Sequence, residues 1–253
     1  MKIAFCTSVT NRRWQLERTL ALNLGKLRGT GSFLAICDYG SDDDVAGFVR
    51  GFAEDIHAGT LQFFRTTVPT GFHASKAKNL AHRLGLLRAP DAVFNLDCDN
   101  YLSEGTRARV EAALSAEPEA CLHEWTTAPD DGTCGRIGLR AQTWISVGGY
   151  DEALGPTAYQ DLDLLFRCRA AGLRYQLHTE GIPRPVQNSM EMKVASLEGA
   201  TRVPDASDEA ARARYQRLYI DNLVISLGRP CRLAFAGQQR FAGLLNFASE
   251  TTI

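Results

Sequence analysis

The 253-residue sequence lacks the features that identify several large classes of protein. It has no run of about 18 apolar residues, the length that a membrane-spanning helix needs. The apolar run near its start, Ile3–Cys6, is too short for a secretory signal peptide, because Thr7 and Ser8 end it. Neither sign of charge is in surplus, since 28 basic and 29 acidic residues give a formal net charge of −1. We therefore expect no transmembrane segment and no nucleic-acid partner, because nucleic-acid binding depends on excess Lys and Arg.

The seven cysteines are scattered singly, and none belongs to a CxxC pair. A zinc ribbon or a disulfide framework is therefore not expected, and a reducing cytoplasm is the location that fits this usage best. Internal repeats, low-complexity tracts and a clear linker are missing as well. What remains is an ordinary globular composition, 45% apolar, which predicts one continuous core.

Short apolar runs alternate with helical patterns in the first half of the chain. The predicted strands are Lys2–Cys6, Ser32–Cys37, Leu61–Phe64 and Ala92–Leu96. Strands of this kind, separated by helices, indicate a parallel sheet covered on both faces. Such sheets bind ligands beyond the carboxyl ends of their strands. The segments to examine for function are therefore residues 7–12, 38–44, 70–79 and 97–100.

The second half predicts one further strand and three helices. The strand is Gly135–Leu139, and the helices are Ala141–Val147, Gln160–Ala171 and Asp205–Leu227. The last of these places Tyr215, Leu218 and either Asn222 or Leu223 on one stripe. Ser75 and Ser103 are the predicted caps of two helices in the first half.

Three clusters of charged residues could carry chemistry. Asp97 and Asp99 directly follow a strand, and a hard divalent cation would neutralise such a pair, although a solvated turn explains it equally well. Lys76 and Lys78 lie in the first turn of a helix, where they oppose the helix dipole unless an anion binds nearby. Asp161 starts another helix, where complementing the helix dipole is the simpler explanation.

In this order, the segments resemble the family 2 glycosyltransferases of the GT-A fold. The matching segments are Cys6–Arg12, Asp38–Asp43, Lys76–Asn79, Leu96–Asp99, Gly148–Glu152 and Gln160–Arg167. The resemblance implies an α/β fold, a Rossmann-like and mostly parallel sheet flanked by helices. It implies one domain, with residues 1–102 binding the nucleotide-sugar and 103–180 holding the acceptor and catalytic part. Residues 181–253 would form a C-terminal helical extension packed on the same domain.

The resemblance also assigns roles to individual residues. The nucleotide would be bound by Thr7, Val9, Asn11, Arg12, Asp38, Lys76, Lys78 and Asp97. Asp99 would hold Mn²⁺ or Mg²⁺, and His178 is the candidate for a further metal ligand. The pocket for the donor sugar and the acceptor would be shaped by Gly149, Tyr150, Asp151, Gln160 and Asp163.

By the same resemblance, the protein is an inverting glycosyltransferase of the hexosyltransferase type, with Asp161 as the general base. A UDP-sugar is the expected donor, and the acceptor could be a small molecule, a lipid-linked sugar or a peptide. The family has a Glu-Asp pair where this sequence has Gln160-Asp161, which leaves donor recognition at that position open. The alternatives are a nucleotide-sugar-binding or degenerate relative without transfer activity, and a phosphoryl or nucleotidyl transferase that uses Asp97 and Asp99.

Overall fold

The structure, a computed structural model, describes residues 1–66, 71–128, 132–197, 208–228 and 249–252. Within these residues, eight strands form one sheet. In chain order they are β1 (Ile3–Val9), β2 (Phe33–Tyr39), β3 (Leu61–Thr66), β4 (Ala92–Asn95), β5 (Ala120–Glu124), β6 (Ile137–Arg140), β7 (Arg174–His178) and β8 (Ser249–Thr252). The helices are α1 (Arg13–Leu27), α2 (Val45–Arg50), α3 (Ala53–His57), α4 (Ala74–Leu86), α5 (Thr106–Ala116), α6 (Ala141–Ser146), α7 (Gln160–Ala170), α8 (Met190–Ala195) and α9 (Asp208–Leu227). None of the described helices is long and apolar enough to cross a membrane.

The sheet has the strand order β7-β5-β6-β4-β1-β2-β3-β8. Its centre is parallel, because β1 pairs in parallel with both β2 and β4, and β2 pairs in parallel with β3. β6 enters antiparallel between β4 and β5, β8 adds an antiparallel edge, and β7 pairs in parallel with β5. The predicted fold class, a mostly parallel α/β sheet flanked by helices, is confirmed.

Side chains that alternate along the strands form two apolar layers, one on each face of the sheet. On one face, Ile3 and Phe5 of β1 pack with residues of α1 and α5. On the other, Ala4 and Cys6 of β1 pack with residues of α4, α6 and α7. Each layer buries one stripe of its helices, and this fixes where the ends of α4 and α7 lie relative to the sheet.

Two predicted helix caps are wrong. Ser75 lies inside α4, whose N-cap is His73. A tertiary contact explains the earlier start, because the N–H of Ala74 donates to the carbonyl of Pro156 at 2.7 Å and so gains a partner outside the helix. Ser103 precedes the N-cap of α5, Gly105, and its hydroxyl bonds Thr106 Oγ1 instead.

Other differences from the predicted elements have local causes. β1 continues to Val9, because Thr7–Val9 pair with Ile36–Asp38 of β2. β5 and β7 were not predicted, and β7 is a largely exposed edge strand without an apolar pattern. α2, α3 and α8 are too short to show a helical period. Residues 205–207, at the predicted start of the last helix, lie outside the described residues.

His82 is a buried histidine of α4 that titrates abnormally. Its ring stacks on Trp144 with 4.8 Å between centroids, and its Nδ1 lies 2.8 Å from the carbonyl oxygen of Lys78. Burial lowers the pKa of His82 from 6.5 to about 4. The folded protein therefore holds this ring neutral at a pH where an unfolded chain would protonate it.

We predict that this histidine makes the protein less stable in mild acid. Between pH 6.5 and about 4 the unfolded chain binds one more proton, so the free energy of unfolding falls as the pH falls. The contribution of His82 at pH 5.5 is a loss of about 1.4 kcal/mol relative to pH 7.5. Urea unfolding at both pH values measures it, and His82→Gln should flatten the difference. The exposed His57 provides the control, since a His57→Gln variant that flattened the difference equally would contradict this assignment.

Candidate active site

One cleft lies beyond the carboxyl ends of β1 and β4 and has a volume of about 470 Å³. These strands are parallel neighbours, so the residues that follow them meet at one edge of the sheet. Residues of α4, α7, α8 and α9 also line it. Its charged lining residues are three basic and three acidic ones: Arg12, Lys78, Lys193, Asp97, Asp99 and Asp161. Its described aromatic lining residues are Phe72, Trp125, Tyr159, Tyr215 and Tyr219.

Lys78 joins two of the carboxylates. Its Nζ lies 2.7 Å from Asp161 Oδ1 and 3.2 Å from Asp97 Oδ1. Asp97 follows β4 and Asp161 lies in the first turn of α7, so one ammonium group connects the strand end to the helix start. The two acidic segments that the sequence brought to attention therefore face each other in one cleft.

Lys78 keeps its charge although it is only 6% exposed. Burial disfavours the ammonium, but the carboxylates of Asp161 and Asp97 outweigh burial and raise the pKa of Lys78 well above its ordinary value. Its Nζ also lies 5.3 Å from the centroid of the Tyr150 ring. An ammonium held this way is a fixed positive charge at the floor of the cleft.

Gly135 lies against this charged group and leaves room for it. A Cβ at this position would stand 2.5 Å from Asp97 Oδ2 and 3.1 Å from Lys78 Nζ. The carbonyl of Gly135 accepts from Asn95 Nδ2 at 2.8 Å, and the same amide group donates to Asp97 Oδ1 at 3.0 Å. The backbone of this segment thus fixes the position of the Asp97 carboxylate.

Asp99 is a carboxylate in an unfavourable environment. Burial, followed by the negative charge of Asp97, raises its pKa from 3.8 to about 7, although Asn100 and Lys193 oppose this. Asn100 Nδ2 donates to Asp99 Oδ1 at 2.7 Å. A half-buried carboxylate beside a second one is the donor set that a hard divalent cation such as Mn²⁺ or Mg²⁺ prefers. Asp99, with Asp97 nearby, therefore fits the implied metal.

The predicted metal ligand His178 lies elsewhere. It ends β7, its Nε2 has no hydrogen-bond partner among the described residues, and it is not part of the described lining of the cleft. In the part of the chain that the structure describes, no three His, Cys, Asp or Glu side chains are grouped to hold a metal. A role for His178 at the metal stays a prediction.

The side chains of β1 alternate, and this decides which of them face the cleft. Ser8 and Thr10 are among its lining residues, whereas Thr7 and Val9 are not among the described ones. Thr7 Oγ1 donates to the carbonyl of Leu96 at 2.6 Å, and Val9 packs in the apolar core. We expected Thr7 and Val9 to border a nucleoside, but because β1 continues to Val9, both side chains point away from the cleft.

The loops after β1 and β2 hold each other. Asn11, with a φ of 50°, accepts the N–H of Asp42 at its Oδ1, at 2.7 Å. Asp38 is fully buried, accepts the N–H of Ser41, and lies 3.4 Å from Arg65 Nε. Burial raises the pKa of Asp38 against the opposing effects of Ser41 and Arg65. Of the residues predicted in these loops, only Arg12 is among the described lining residues.

The segment around Gly149 is bound to α4 through Asn79. Gly149 has a φ of 64°, and a Cβ there would stand 2.7 Å from Asn79 Oδ1. Asn79 also bonds the backbone N–H and carbonyl of Tyr150. Asp151 is buried, where its Oδ1 accepts the N–H of Ala153, and Asp163 pairs with Arg167 at 2.8 Å.

Among the described residues that line the cleft, Gln160 is therefore the one that was predicted to form the pocket. Its Nε2 donates to the carbonyl of Gly155 at 3.0 Å. Lys76, two residues before Lys78 in α4, is outside the described lining.

The cleft includes residues that the sequence did not single out. Trp125 and Gly135 come from segments without a recognised motif, and Lys193, Tyr215 and Tyr219 come from the C-terminal helices. For these residues, a signal in the sequence was present at Tyr215. The predicted stripe on α9 placed this aromatic side chain on the buried face of the helix.

No family model and no curated protein matches this sequence. Solved structures do share its fold. TarS 1–349 of S. aureus in complex with UDP-GlcNAc is 14% identical with a TM-score of 0.62, over 97% of this chain and 72% of that one. The mannosyltransferase PcManGT of Pyrobaculum calidifontis, with GDP-Man and Mn²⁺, is 14% identical with a TM-score of 0.61, over 97% and 81%. GalNAc-T7 with UDP, GalNAc and Mn²⁺ is 11% identical with a TM-score of 0.59, over 71% and 42%. At these identities the comparisons establish the fold, and the expected GT-A architecture is confirmed.

Proposed function

We propose that this protein is a metal-dependent glycosyltransferase that moves a sugar from a nucleotide diphosphate sugar to an acceptor hydroxyl with inversion. The observation that carries the proposal is the contact of Lys78 with both Asp97 and Asp161, in a cleft that also contains Asp99. The ligands of the similar structures, UDP-GlcNAc, GDP-Man with Mn²⁺, and UDP with GalNAc and Mn²⁺, support it. We infer a uridine diphosphate sugar as the donor.

The basic side chains of the cleft suit the diphosphate of such a donor. Lys78, Arg12 and Lys193 present positive charge from α4, from the end of β1 and from α8. When bound at Asp99, a divalent cation would neutralise the negative charge that develops on the leaving diphosphate. Lys78 adds to this neutralisation. Its charge is already fixed in a buried site, so no reorganisation is needed as the bond between the sugar and the diphosphate breaks.

Asp161 is the residue of the cleft that we assign as the general base. An acceptor hydroxyl is a poor nucleophile until its proton is removed, and Asp161 is a carboxylate at the start of α7 that lines the cleft. Its Oδ1 contacts Lys78, which leaves Oδ2 to take the proton. A single displacement of this kind inverts the anomeric centre and needs no covalent intermediate.

We assign the part of the cleft that is lined by tyrosines to the acceptor. Tyr159 immediately precedes Gln160 and Asp161, and its ring contacts that of Tyr219 edge-on, with 5.1 Å between centroids. Tyr215 lies one turn before Tyr219 on α9 and lines the same cleft. Flat rings of this kind bind ring-shaped ligands through their faces, so we infer an acceptor that carries a ring next to its reacting hydroxyl.

The proposal is tested by incubating the protein with Mn²⁺ and a panel of donors such as UDP-glucose, UDP-GlcNAc and GDP-mannose. We expect one of them to raise the melting temperature only when Mn²⁺ is present. A ligand at 100 times its Kd adds about 2.7 kcal/mol to the free energy of unfolding. We also expect slow metal-dependent hydrolysis of that donor without an acceptor.

The outcomes separate the candidate functions. Metal-dependent stabilisation without any hydrolysis or transfer would identify a binding protein, the alternative that Gln160 leaves open. Release of phosphate or nucleoside monophosphate in place of free sugar would favour phosphoryl or nucleotidyl transfer. No stabilisation by any donor, with or without Mn²⁺, would contradict the proposal.

We predict that Gly135→Ala weakens binding of UDP with Mn²⁺ by about tenfold, or about 1.4 kcal/mol. The new methyl group would stand 2.5 Å from Asp97 Oδ2 and would have to displace this carboxylate from Lys78. Calorimetry measures the affinity. Gly25→Ala is the matched control, because a Cβ at Gly25 in α1 meets nothing within 4 Å. Equal affinities for both variants would show that the position of Asp97 does not matter for the nucleotide.

A further inference from the structure

Asn222 of α9 is a polar side chain buried against the turn that precedes α7. It is 1% exposed. Its Nδ2 donates to the carbonyls of Thr157 and Ala158 at 2.8 and 2.7 Å, and its Oδ1 accepts the N–H of Gly155 at 2.6 Å. One amide group thus makes three hydrogen bonds to three residues within the segment 155–158, 64 to 67 positions away in the chain.

The turn that Asn222 binds has an unfavourable backbone. Ala158 and Tyr159 have φ values of 68° and 72°, in the left-handed region that non-glycine residues rarely adopt. Two such residues in succession cost on the order of 1–3 kcal/mol each and persist only where the surroundings fix them. The hydrogen bonds of Asn222 to the carbonyls of residues 157 and 158, and the packing of Tyr219 on Tyr159, supply these constraints from α9.

The turn leads directly into the segment that carries the general base. Tyr159 is the N-cap of α7, and Asp161 is the second residue of that helix. Gln160 also bonds the turn, because its Nε2 donates to the carbonyl of Gly155 at 3.0 Å. A change in the backbone of residues 155–159 therefore moves the start of α7 and the carboxylate that lies 2.7 Å from Lys78.

We propose that Asn222 is a positioning residue for the reaction: from the C-terminal helix α9, it holds the strained turn that places Asp161 in the cleft. This inference rests on the proposed function. It gives the C-terminal extension a part in catalysis in addition to its packing on the core. It also explains why an amide lies on the otherwise apolar stripe of α9, where Ala211, Tyr215 and Leu218 pack with α8 and its surroundings.

The test compares Asn222→Leu with the wild type in donor hydrolysis with Mn²⁺ and no acceptor. Leu fills the same space without the three hydrogen bonds. We expect kcat to fall by about 10- to 100-fold, because a displacement of about 1 Å in a reacting group has this effect, while the KM for the donor stays within about twofold. Calorimetric affinity for UDP with Mn²⁺ should also be unchanged, since Asn222 is outside the described lining of the cleft.

Two further variants separate positioning from loss of folding. Gly155→Ala puts a Cβ 3.1 Å from Asn222 Oδ1 and disturbs the same contact from the other side, so it should lower kcat in the same way, to a smaller degree. Val194→Ala is the control, because Val194 packs with Ala211 of α9. Its truncation loosens that helix and leaves the three hydrogen bonds of Asn222 to the turn in place. It should lower the melting temperature and leave kcat unchanged.

The results distinguish this inference from the proposed function. If the wild type hydrolyses the donor and both Asn222→Leu and Gly155→Ala keep the wild-type kcat, Asn222 has no positioning role and the proposed function stands. If Val194→Ala lowers kcat as much as Asn222→Leu does, the effect comes from loosening α9, and the positioning role is also wrong. A wild type without any donor turnover would contradict both proposals.

Discussion

Replacing Asp161 by Asn is expected to lower kcat for sugar transfer by about 10²- to 10⁴-fold, which is the contribution of a positioned general base. An amide has the shape of the carboxylate and its oxygen still accepts the hydrogen bond of Lys78, which in the wild type spans 2.7 Å. It cannot accept the proton of the acceptor hydroxyl. The affinity for UDP with Mn²⁺ should therefore stay close to that of the wild type.

Turnover of the preferred donor and calorimetry with UDP and Mn²⁺ measure the two halves of this prediction. Asp163→Asn is the matched control, because it makes the same change two residues further along α7, at a buried carboxylate that pairs with Arg167. It should lower the melting temperature and leave kcat unchanged at temperatures where the protein is folded. Turnover by Asp161→Asn at the wild-type rate would show that another group takes the proton.

Replacing Asp99 by Asn is expected to remove the metal dependence of nucleotide binding. The variant loses the carboxylate charge on the residue that best fits the metal, and we expect the affinity for UDP in the presence of Mn²⁺ to fall at least 100-fold. The fold should persist or gain stability, because the carboxylate is costly to bury, as its raised pKa of about 7 shows.

Calorimetry with UDP in Mn²⁺ and in EDTA decides this prediction. The wild type should bind weakly in EDTA and tightly in Mn²⁺, whereas Asp99→Asn should bind weakly in both. Asp42→Asn makes the same change at an exposed loop carboxylate and should behave as the wild type. A wild type that binds UDP equally well in EDTA would show that the nucleotide is held without a metal.

The sequence was sufficient to predict five of the six charged residues that line the cleft, all except Lys193. Its signals were residues that follow strands or begin helices, and in a parallel sheet the carboxyl ends of neighbouring strands meet. Asp97, Asp99 and Lys78 were found in this way, and Asp161 was assigned to the site through the resemblance to the family. Their contact through one lysine was not predictable, because it depends on how α4 and α7 lie on the sheet.

The side-chain directions of β1 show that the end of a strand is hard to predict from the sequence. The resemblance to the family implies that Thr7 and Val9 border the nucleotide, and the apolar run that ends at Cys6 places them beyond the predicted strand. Three more residues pair with β2, and with strict alternation the cleft receives Ser8 and Thr10. The end of the strand depends on its partner, which the local sequence does not contain.

The C-terminal helices show the largest gap between sequence and structure. Lys193, Tyr219 and Asn222 follow no motif, and each acquires its role from contacts with segments 60 or more residues away or from its place in the cleft. Asn222 stood on a predicted apolar stripe, where a buried amide indicates a tertiary hydrogen bond. Its partners could be found only from the structure.

The equal numbers of acidic and basic residues in the cleft have a consequence for how the metal and the nucleotide affect each other's binding. When Asp99 is ionised, three positive and three negative side chains leave the described lining electrically neutral. A divalent cation alone, or a doubly charged diphosphate alone, would upset this electroneutrality in a partly desolvated space. The two together add no net charge. Each ligand should therefore strengthen the binding of the other, and measured affinities should show this cooperativity in both directions.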